Sequence, residues 1–183
     1  MHLLGISGSL RKNSLNTAAL RACQELLPAG VTLSLFDIAP IPLYNEDVRE
    51  QGFPLPVQQF REQIAAADAL IFATPEYNYS ISGVLKNAID WASRPPEQPF
   101  ENKPIALIGA TPGGLGTSRS QYHLRQVFIY LNGLLLNRPE VMISSAPSKF
   151  DGQGKLIDTA TAEQLSKMLV ALVAWHRRLS GHS

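Results

Sequence analysis

Residues 3–20 read LLGISGSLRKNSLNTAAL, and this stretch decides how the chain begins to fold. An apolar run, Leu3–Ile6, gives way to a turn rich in glycine and serine, and a helical pattern begins after Ser14. A helix amino terminus presents unpaired backbone amides and about half a positive charge. Two cations, Arg11 and Lys12, lie in the same turn. The stretch therefore predicts a strand, an anion-binding turn and a helix.

The donors of this turn favour a phosphate monoester as its ligand. The hydroxyls of Ser9 and Ser14 are able to hydrogen-bond phosphate oxygens, as are the Asn16 amide and the Arg11 guanidinium. A monoester carries more charge near neutral pH than a pyrophosphate diester. The turn matches neither a P-loop nor G-x-G-x-x-G. One alternative stays open, in which Ser14 or Asn16 only caps the helix.

The rest of the chain alternates between strand-like and helix-like apolar periodicity. The predicted strands are Leu3–Ser7, Val31–Phe36, Ala69–Thr74, Ile105–Ala110 and Leu134–Ile143. Helical apolar stripes lie between and after them, the last two at residues 119–132 and 161–179. The pattern predicts one domain over residues 1–183, with an α/β fold in which a doubly wound, five-stranded parallel sheet has helices on both faces.

Composition excludes several classes of function. The net charge of +1 gives no electrostatic case for nucleic acid or for an anionic membrane surface. The one cysteine, Cys23, lies at helical spacing among apolar residues and predicts a buried core thiol in a disulfide-free, cytoplasmic protein. The histidines are scattered without the spacing of metal ligands, so no metal site is predicted; they are His2, His123, His176 and His182.

Two further loops are expected beside the first, because ligands of doubly wound sheets bind beyond the carboxyl ends of the strands. The stretch TPEYNYSISGVLKNAIDWASRPP, residues 74–96, offers two tyrosines as flat surface for an aromatic ligand. The stretch GATPGGLGTSR, residues 109–119, has glycines that permit close backbone approach. Together the three loops predict a ligand that has a phosphate at one end and a planar ring in the middle of the site, with unpaired backbone amides facing the ring.

The motifs GSLRKNSLN (8–16), PEYNYSISGVLKNAIDWASRP (75–95) and GGLGTSRSQYHLRQ (113–126) resemble the NADPH-dependent FMN reductase family. That family is flavodoxin-like and includes quinone, azo-dye and chromate reductases. The resemblance implies an FMN enzyme that passes hydride from NADPH, or NADH, through the flavin to a small acceptor such as a quinone, an azo compound, chromate or free flavin. The family commonly has proline where this chain has Ser82.

The same resemblance implies a set of FMN-binding residues and no catalytic side chain. The first loop would hold the phosphate, the second would line the isoalloxazine ring, mainly through backbone groups, and the third would close the ring's other side. The implied residues are Ser9, Leu10, Arg11, Ser14, Leu15, Asn16, Pro75, Glu76, Tyr77, Asn78, Thr111, Gly113 and Gly114.

Three other functional hypotheses compete with that of an FMN reductase. A flavodoxin-type electron carrier is disfavoured by Arg11, Lys12 and the near-zero net charge, because such carriers are usually strongly acidic. A dinucleotide-binding dehydrogenase could use Asp37 to hold a ribose, but the glycine fingerprint is missing. A non-catalytic nucleotide-binding module stays open.

An oligomer is expected from VFIYL, residues 127–131, which are all apolar or aromatic within one predicted helix. A helix that covers a sheet buries only one stripe, so part of this run should contact another subunit. The sequence predicts a homodimer or homotetramer with Phe128 in the interface.

Overall fold

Six strands pair in parallel in one sheet, in a computed structural model that describes residues 1–181. The strands are β1 (His2–Ser7), β2 (Thr32–Phe36), β3 (Ala69–Ala73), β4 (Pro104–Ala110), β5 (Leu134–Leu135) and β6 (Val141–Ile143). The spatial order is β2-β1-β3-β4-β5, with β6 also paired to β4. This order is that of a flavodoxin-like doubly wound sheet, which confirms the predicted fold class.

The predicted fifth strand, Leu134–Ile143, is divided into two short strands. Leu134 pairs with Pro104 at the start of β4, and Val141 pairs with Ile108 near its end. Residues 136–140 between them belong to neither strand. Pro139 lies in this gap and has no amide hydrogen with which to continue the ladder. The sheet therefore has five strand positions, the last of them filled by two strands.

Helices cover both faces of the sheet. They are α1 (Leu15–Glu25), α2 (Glu46–Arg49), α3 (Leu55–Ala66), α4 (Gly83–Ala92), α5 (Ser118–Tyr130) and α6 (Thr159–Leu179). Apolar side chains of α1 and α6 share one core cluster, whereas those of α3, α4 and α5 share the other. The short helix α2 was not predicted, because four residues are too few to show a period. The sheet edge where β1, β3 and β4 end stays open.

Two predictions concern single residues that lie in the interior, Cys23 and Phe128. Cys23 is fully buried, as predicted, and burial raises the pKa of its thiol to about 12. Phe128 is also fully buried, with its ring centroid 4.9 Å from that of Phe72. The predicted place of Phe128 in a subunit interface is therefore wrong, because its ring faces the sheet. The exposed members of that run are Ile129 and Tyr130, at 72% and 87%.

No helix within residues 1–181 combines the length and the apolar character that crossing a membrane requires. Over the same residues, no three side chains of histidine, cysteine, aspartate or glutamate gather in a way that would hold a metal ion. His182 lies outside the described residues.

Candidate functional site

Three loops meet at the open edge of the sheet, as expected. The first loop (8–16) follows β1, the second loop (74–82) follows β3, and the third loop (110–117) follows β4. They enclose a cavity of about 110 Å³, called the loop cavity here. Its lining is Ser9, Arg11, Ser14, Leu15, Asn16, Pro75, Glu76, Tyr77, Ala110, Thr111 and Pro112.

Most of the predicted site residues line this cavity, but four do not. Leu10 lines a different pocket on the opposite side of the first loop. Asn78 lies in a tight turn with a φ of 51°, and Gly113 and Gly114 are exposed beyond Pro112. Ala110 and Pro112 were missed, because an alanine and a proline carry no donor or charge that marks a binding role in a sequence.

The first loop leaves hydrogen-bond donors free at the amino terminus of α1. Ser14 is the N-cap, and its hydroxyl accepts a hydrogen bond from the Thr17 amide at 3.3 Å. The backbone amides of Leu15 and Asn16 have no acceptor within residues 1–181. Arg11 is exposed and forms no salt bridge with any described carboxylate. Two amides, the helix dipole and a guanidinium are thus available to an anion.

Asn16 has a role that differs from the predicted phosphate donor. Its side-chain oxygen accepts a hydrogen bond from the Ala110 amide at 2.9 Å, and its side-chain nitrogen donates to the Ala110 carbonyl at 3.1 Å. Asn16 is 4% exposed. The side chain therefore joins the first loop to the third loop, and Asn16 offers an anion its backbone amide instead.

Ser82 joins the first and second loops. Its hydroxyl donates a hydrogen bond to the Gly8 carbonyl at 2.6 Å and also accepts one from the Leu85 amide at 3.3 Å, which caps α4. A side chain at Gly8 would be crowded, since a Cβ there would lie 3.0 Å from the side chains of both Pro75 and Leu85. The first loop therefore packs closely against Pro75 of the second loop and Leu85 of α4.

The second loop also completes the start of α5. The N-cap residue of α5, Thr117, has a left-handed backbone and makes no capping hydrogen bond with its side chain. The carboxylate of Glu76 takes over this function: it accepts a hydrogen bond from the Ser120 amide at 3.2 Å and pairs with Arg119 at 3.2 Å. The side chain of Glu76 therefore holds α5 against the second loop, a role that sequence reasoning did not assign.

Aromatic surface lies at the mouth of the cavity. Tyr77 and Ser80 bond each other through both backbone amides, which closes a tight turn. The Tyr79 ring stands under the Arg119 guanidinium, whose carbon is 3.9 Å from the ring centroid. His123 is hydrogen-bonded to the Ser80 hydroxyl at 2.7 Å. The cavity thus has donors for an anion in the first loop and one flat, half-exposed ring, that of Tyr77, in its lining.

The chain is similar to known proteins over most of its length. Residues 1–148 match the family described as NADPH-dependent FMN reductase. An NAD(P)H-dependent FMN reductase of Pseudomonas aeruginosa is 61% identical over 179 residues, which cover 98% of this chain and 97% of the relative. A quinone reductase of Escherichia coli is 42% identical over 182 residues, which cover 98% of this chain and 97% of the relative.

A solved structure resembles the whole fold. The flavoenzyme NAD(P)H:acceptor oxidoreductase FerB of Paracoccus denitrificans superimposes with a TM-score of 0.88 at 33% sequence identity. The match covers 97% of this chain and 97% of FerB.

Proposed function

The chain belongs to the NADPH-dependent FMN reductase family, and from that premise we propose how its residues serve the activity. It is a flavin-dependent oxidoreductase that uses NAD(P)H, with FMN as its cofactor. We propose that residues 1–183 act as one domain and that FMN occupies the loop cavity.

The first loop suits the phosphate of FMN. The amides of Leu15 and Asn16 have no other acceptor within residues 1–181, and the Arg11 guanidinium is free of described carboxylates. Backbone amides at a helix start and a guanidinium are the donor set that binds a phosphate monoester. The cavity then continues past Ser9 to the second and third loops, where Pro75, Tyr77 and Thr111 would border the ring of the flavin.

FMN supplies the redox chemistry when bound, by accepting hydride from the nicotinamide and passing the electrons on. The residues that line the loop cavity would hold and orient the cofactor. The third-loop amides at the cavity are engaged within the protein, because that of Ala110 donates to the Asn16 side chain and that of Thr111 to the Ile143 carbonyl; the free amides predicted to face the ring are therefore not found at these two positions. No side-chain acid or base is required.

The acceptor is a small molecule, and we propose that it binds where Tyr77 and Tyr79 give a partly exposed aromatic surface. Planar acceptors such as quinones, azo compounds or free flavin stack well on such a surface. The single buried cysteine suits a reducing compartment, which supports a cytoplasmic location.

We also propose that the protein works as a homodimer or homotetramer. Ile129 and Tyr130 of α5 project away from the core, and a groove of about 240 Å³ runs between α4 and α5. Large apolar side chains on one helix face usually mark a subunit interface. Because Arg119 and His123 lie on the same helix as this face, a second copy would also border the mouth of the loop cavity.

The free donor set at the start of α1 is the observation that carries the proposal, and flavin content tests it. The purified protein should contain FMN, or take it up with a yellow absorbance, and anaerobic NADPH should bleach that absorbance. A colourless protein that does not bind added FMN would overturn the proposal. A protein that keeps FMN but is not bleached by NADPH or NADH would overturn the reductase activity alone.

A further inference from the structure

A second pocket, of about 270 Å³, lies on the opposite side of the first loop from the loop cavity. It is called the β2-side pocket here, because it opens between the carboxyl ends of β1 and β2 and the first turns of α1. Its lining is Ser7, Ser9, Leu10, Thr17, Leu20, Arg21, Leu35, Phe36 and Asp37. Ser9 lines both pockets, so they are separated only by the first loop.

The pocket has an apolar wall and a polar rim. Leu20, Leu35 and Phe36 form the wall, and Leu10 extends over it with half of its surface exposed to solvent. Leu10 belongs to the first loop yet takes no part in the loop cavity. A wall of this kind fits a flat, weakly polar group such as a purine, which would also cover the exposed Leu10.

Two charged side chains of opposite sign border the pocket, and neither is neutralised within residues 1–181. Arg21 forms no salt bridge with a described carboxylate. Asp37 uses one carboxylate oxygen to accept a hydrogen bond from the Ala39 amide at 2.9 Å, and its other oxygen accepts none from the residues that the structure describes. The pocket thus offers one free acceptor and one free cation.

We propose that the β2-side pocket binds the adenosine end of the pyridine nucleotide, an inference that rests on the proposed function. An acidic residue after the second strand of a doubly wound sheet is placed to accept hydrogen bonds from ribose hydroxyls, and an arginine nearby is placed to hold a 2′-phosphate. Asp37 occupies the first position and Arg21 supplies the second. The pocket therefore accepts both NADH and NADPH, through different partners.

The distance between the two pockets suits a dinucleotide. Neighbouring strands lie about 4.8 Å apart, so the β1–β2 gap is roughly 10 Å from the β3–β4 gap along the sheet edge. An adenosine held beside Asp37 thus leaves the rest of the nucleotide to cross the first loop above Ser9. Its nicotinamide end then lies above the loop cavity.

Opposite effects on two adenosine phosphates test this assignment. The FMN-loaded protein is titrated calorimetrically with 2′,5′-ADP, which carries the 2′-phosphate, and with 5′-ADP, which has a free ribose diol. Arg21→Ala should weaken 2′,5′-ADP binding roughly tenfold and leave 5′-ADP within about twofold, because only the former loses a charged partner. Asp37→Asn should weaken 5′-ADP several-fold but strengthen 2′,5′-ADP, since a carboxylate beside the second phosphate is removed.

The matched control is Lys12→Ala, which removes one positive charge just before α1; Lys12 does not line the β2-side pocket, although it shares a neighbouring groove with Arg21. It should change neither affinity by more than about twofold. Equal losses in Lys12→Ala and Arg21→Ala would show only a general effect of charge and would overturn the assignment, as would undetectable binding of both compounds. Inorganic phosphate is titrated in parallel: binding of phosphate as tight as that of 2′,5′-ADP would show an anion site without nucleoside recognition, and would also overturn it.

Flavin absorbance recorded on each sample separates this inference from the proposed function. If the protein retains FMN but Arg21→Ala and Asp37→Asn do not have the expected opposite effects on the two ADP affinities, the adenosine pocket alone is overturned. Absence of FMN overturns the proposed function, whereas an intact pattern in that protein would still support an adenine-nucleotide site.

Discussion

Asn16 and Ala110 exchange two hydrogen bonds, of 2.9 and 3.1 Å, that join the first loop to the third loop. They are 94 residues apart in sequence, and both are buried. The bonds fix the amino terminus of α1 relative to the carboxyl end of β4. The proposed phosphate and ring ends of the site are therefore held at a constant separation before any ligand arrives.

Substitution of Asn16→Leu should destabilise the protein by about 2–3 kcal/mol. Leucine has a similar size but leaves the amide and the carbonyl of Ala110 buried without that partner, and each unpaired group is costly. Urea unfolding measures the change. Asn13→Leu, at an exposed position of the same loop, should stay within about 0.5 kcal/mol. Equal stability of the two variants would mean that the Asn16–Ala110 bonds contribute nothing.

The residue that departs from the family pattern, Ser82, gives a second prediction. Ser82→Ala should cost about 2 kcal/mol, because α4 loses its cap and the Gly8 carbonyl loses a hydrogen bond. Ser82→Pro should cost less. The φ of Ser82 is −65°, which proline adopts without strain, and a fixed φ lowers the entropy of the unfolded chain. Thermal unfolding in parallel should rank them as wild type, proline, alanine; a proline variant below the alanine variant would contradict this account.

The sequence was sufficient to predict the layers of the fold. Continuous apolar runs such as Ala69–Ala73 and Pro104–Ala110 mark strands covered on both faces, and β1, β2, β3 and β4 start and end within one or two residues of prediction. The division of the fifth strand into β5 and β6 was not predicted. The apolar residues 134–136 and 141–143 resemble one continuous strand until their pairing with β4 is known.

The site was predictable in its position but not in its detail. An anion site is predicted from the serines, the asparagine and the arginine of the first loop, because residue type alone identifies hydrogen-bond donors and positive charge. Which partner a side chain takes is not visible. From its residue type, Asn16 is equally suited to donate to a ligand or to hydrogen-bond Ala110. The hydrogen bond by which Glu76 caps α5 joins residues 44 positions apart, so it could not be predicted from local sequence. Phe128 and Ile129 are equally apolar in sequence, and only helix orientation decides which is buried.

Arg11→Ala should weaken FMN binding at least tenfold with little effect on stability. The Arg11 side chain is exposed and unpaired within residues 1–181, so the folded protein loses no described contact. The phosphate would lose a charge-assisted hydrogen bond. Fluorescence titration of the apoprotein with FMN measures the affinity, with Lys12→Ala as the neighbouring control. Unchanged FMN affinity would exclude Arg11 as a phosphate partner.

Ile129→Glu should reduce the assembly to monomers, as should Tyr130→Glu. Both side chains are exposed, so a charge there leaves the core intact but opposes apolar contact with a second copy. Light scattering measures the mass, and circular dichroism should show an unchanged fold. Phe128→Glu is not a usable test, because it places a charge in the core and should unfold the protein. An unchanged mass for both exposed variants would place the interface elsewhere.

Stability should fall with rising pH above about 9 because of Cys23. Burial raises the pKa of this thiol from 9.0 to about 12 in the folded chain, so the unfolded chain loses its proton first as the pH rises. The unfolded state then binds fewer protons than the folded state, and the free energy of unfolding decreases by up to about 1.4 kcal/mol per pH unit. The contribution is complete below pH 9 and is lost progressively towards pH 12.

Urea unfolding at pH 8.0 and at pH 10.5 gives the slope of stability against pH. Cys23→Ala lowers stability at both values because it leaves a small cavity, but it removes the thiol's part of the slope, while tyrosines and lysines titrate alike in both proteins. Identical slopes would mean that the thiol ionises in the folded state as readily as in the unfolded one, and a thiol-reactive dye would then label Cys23 without unfolding.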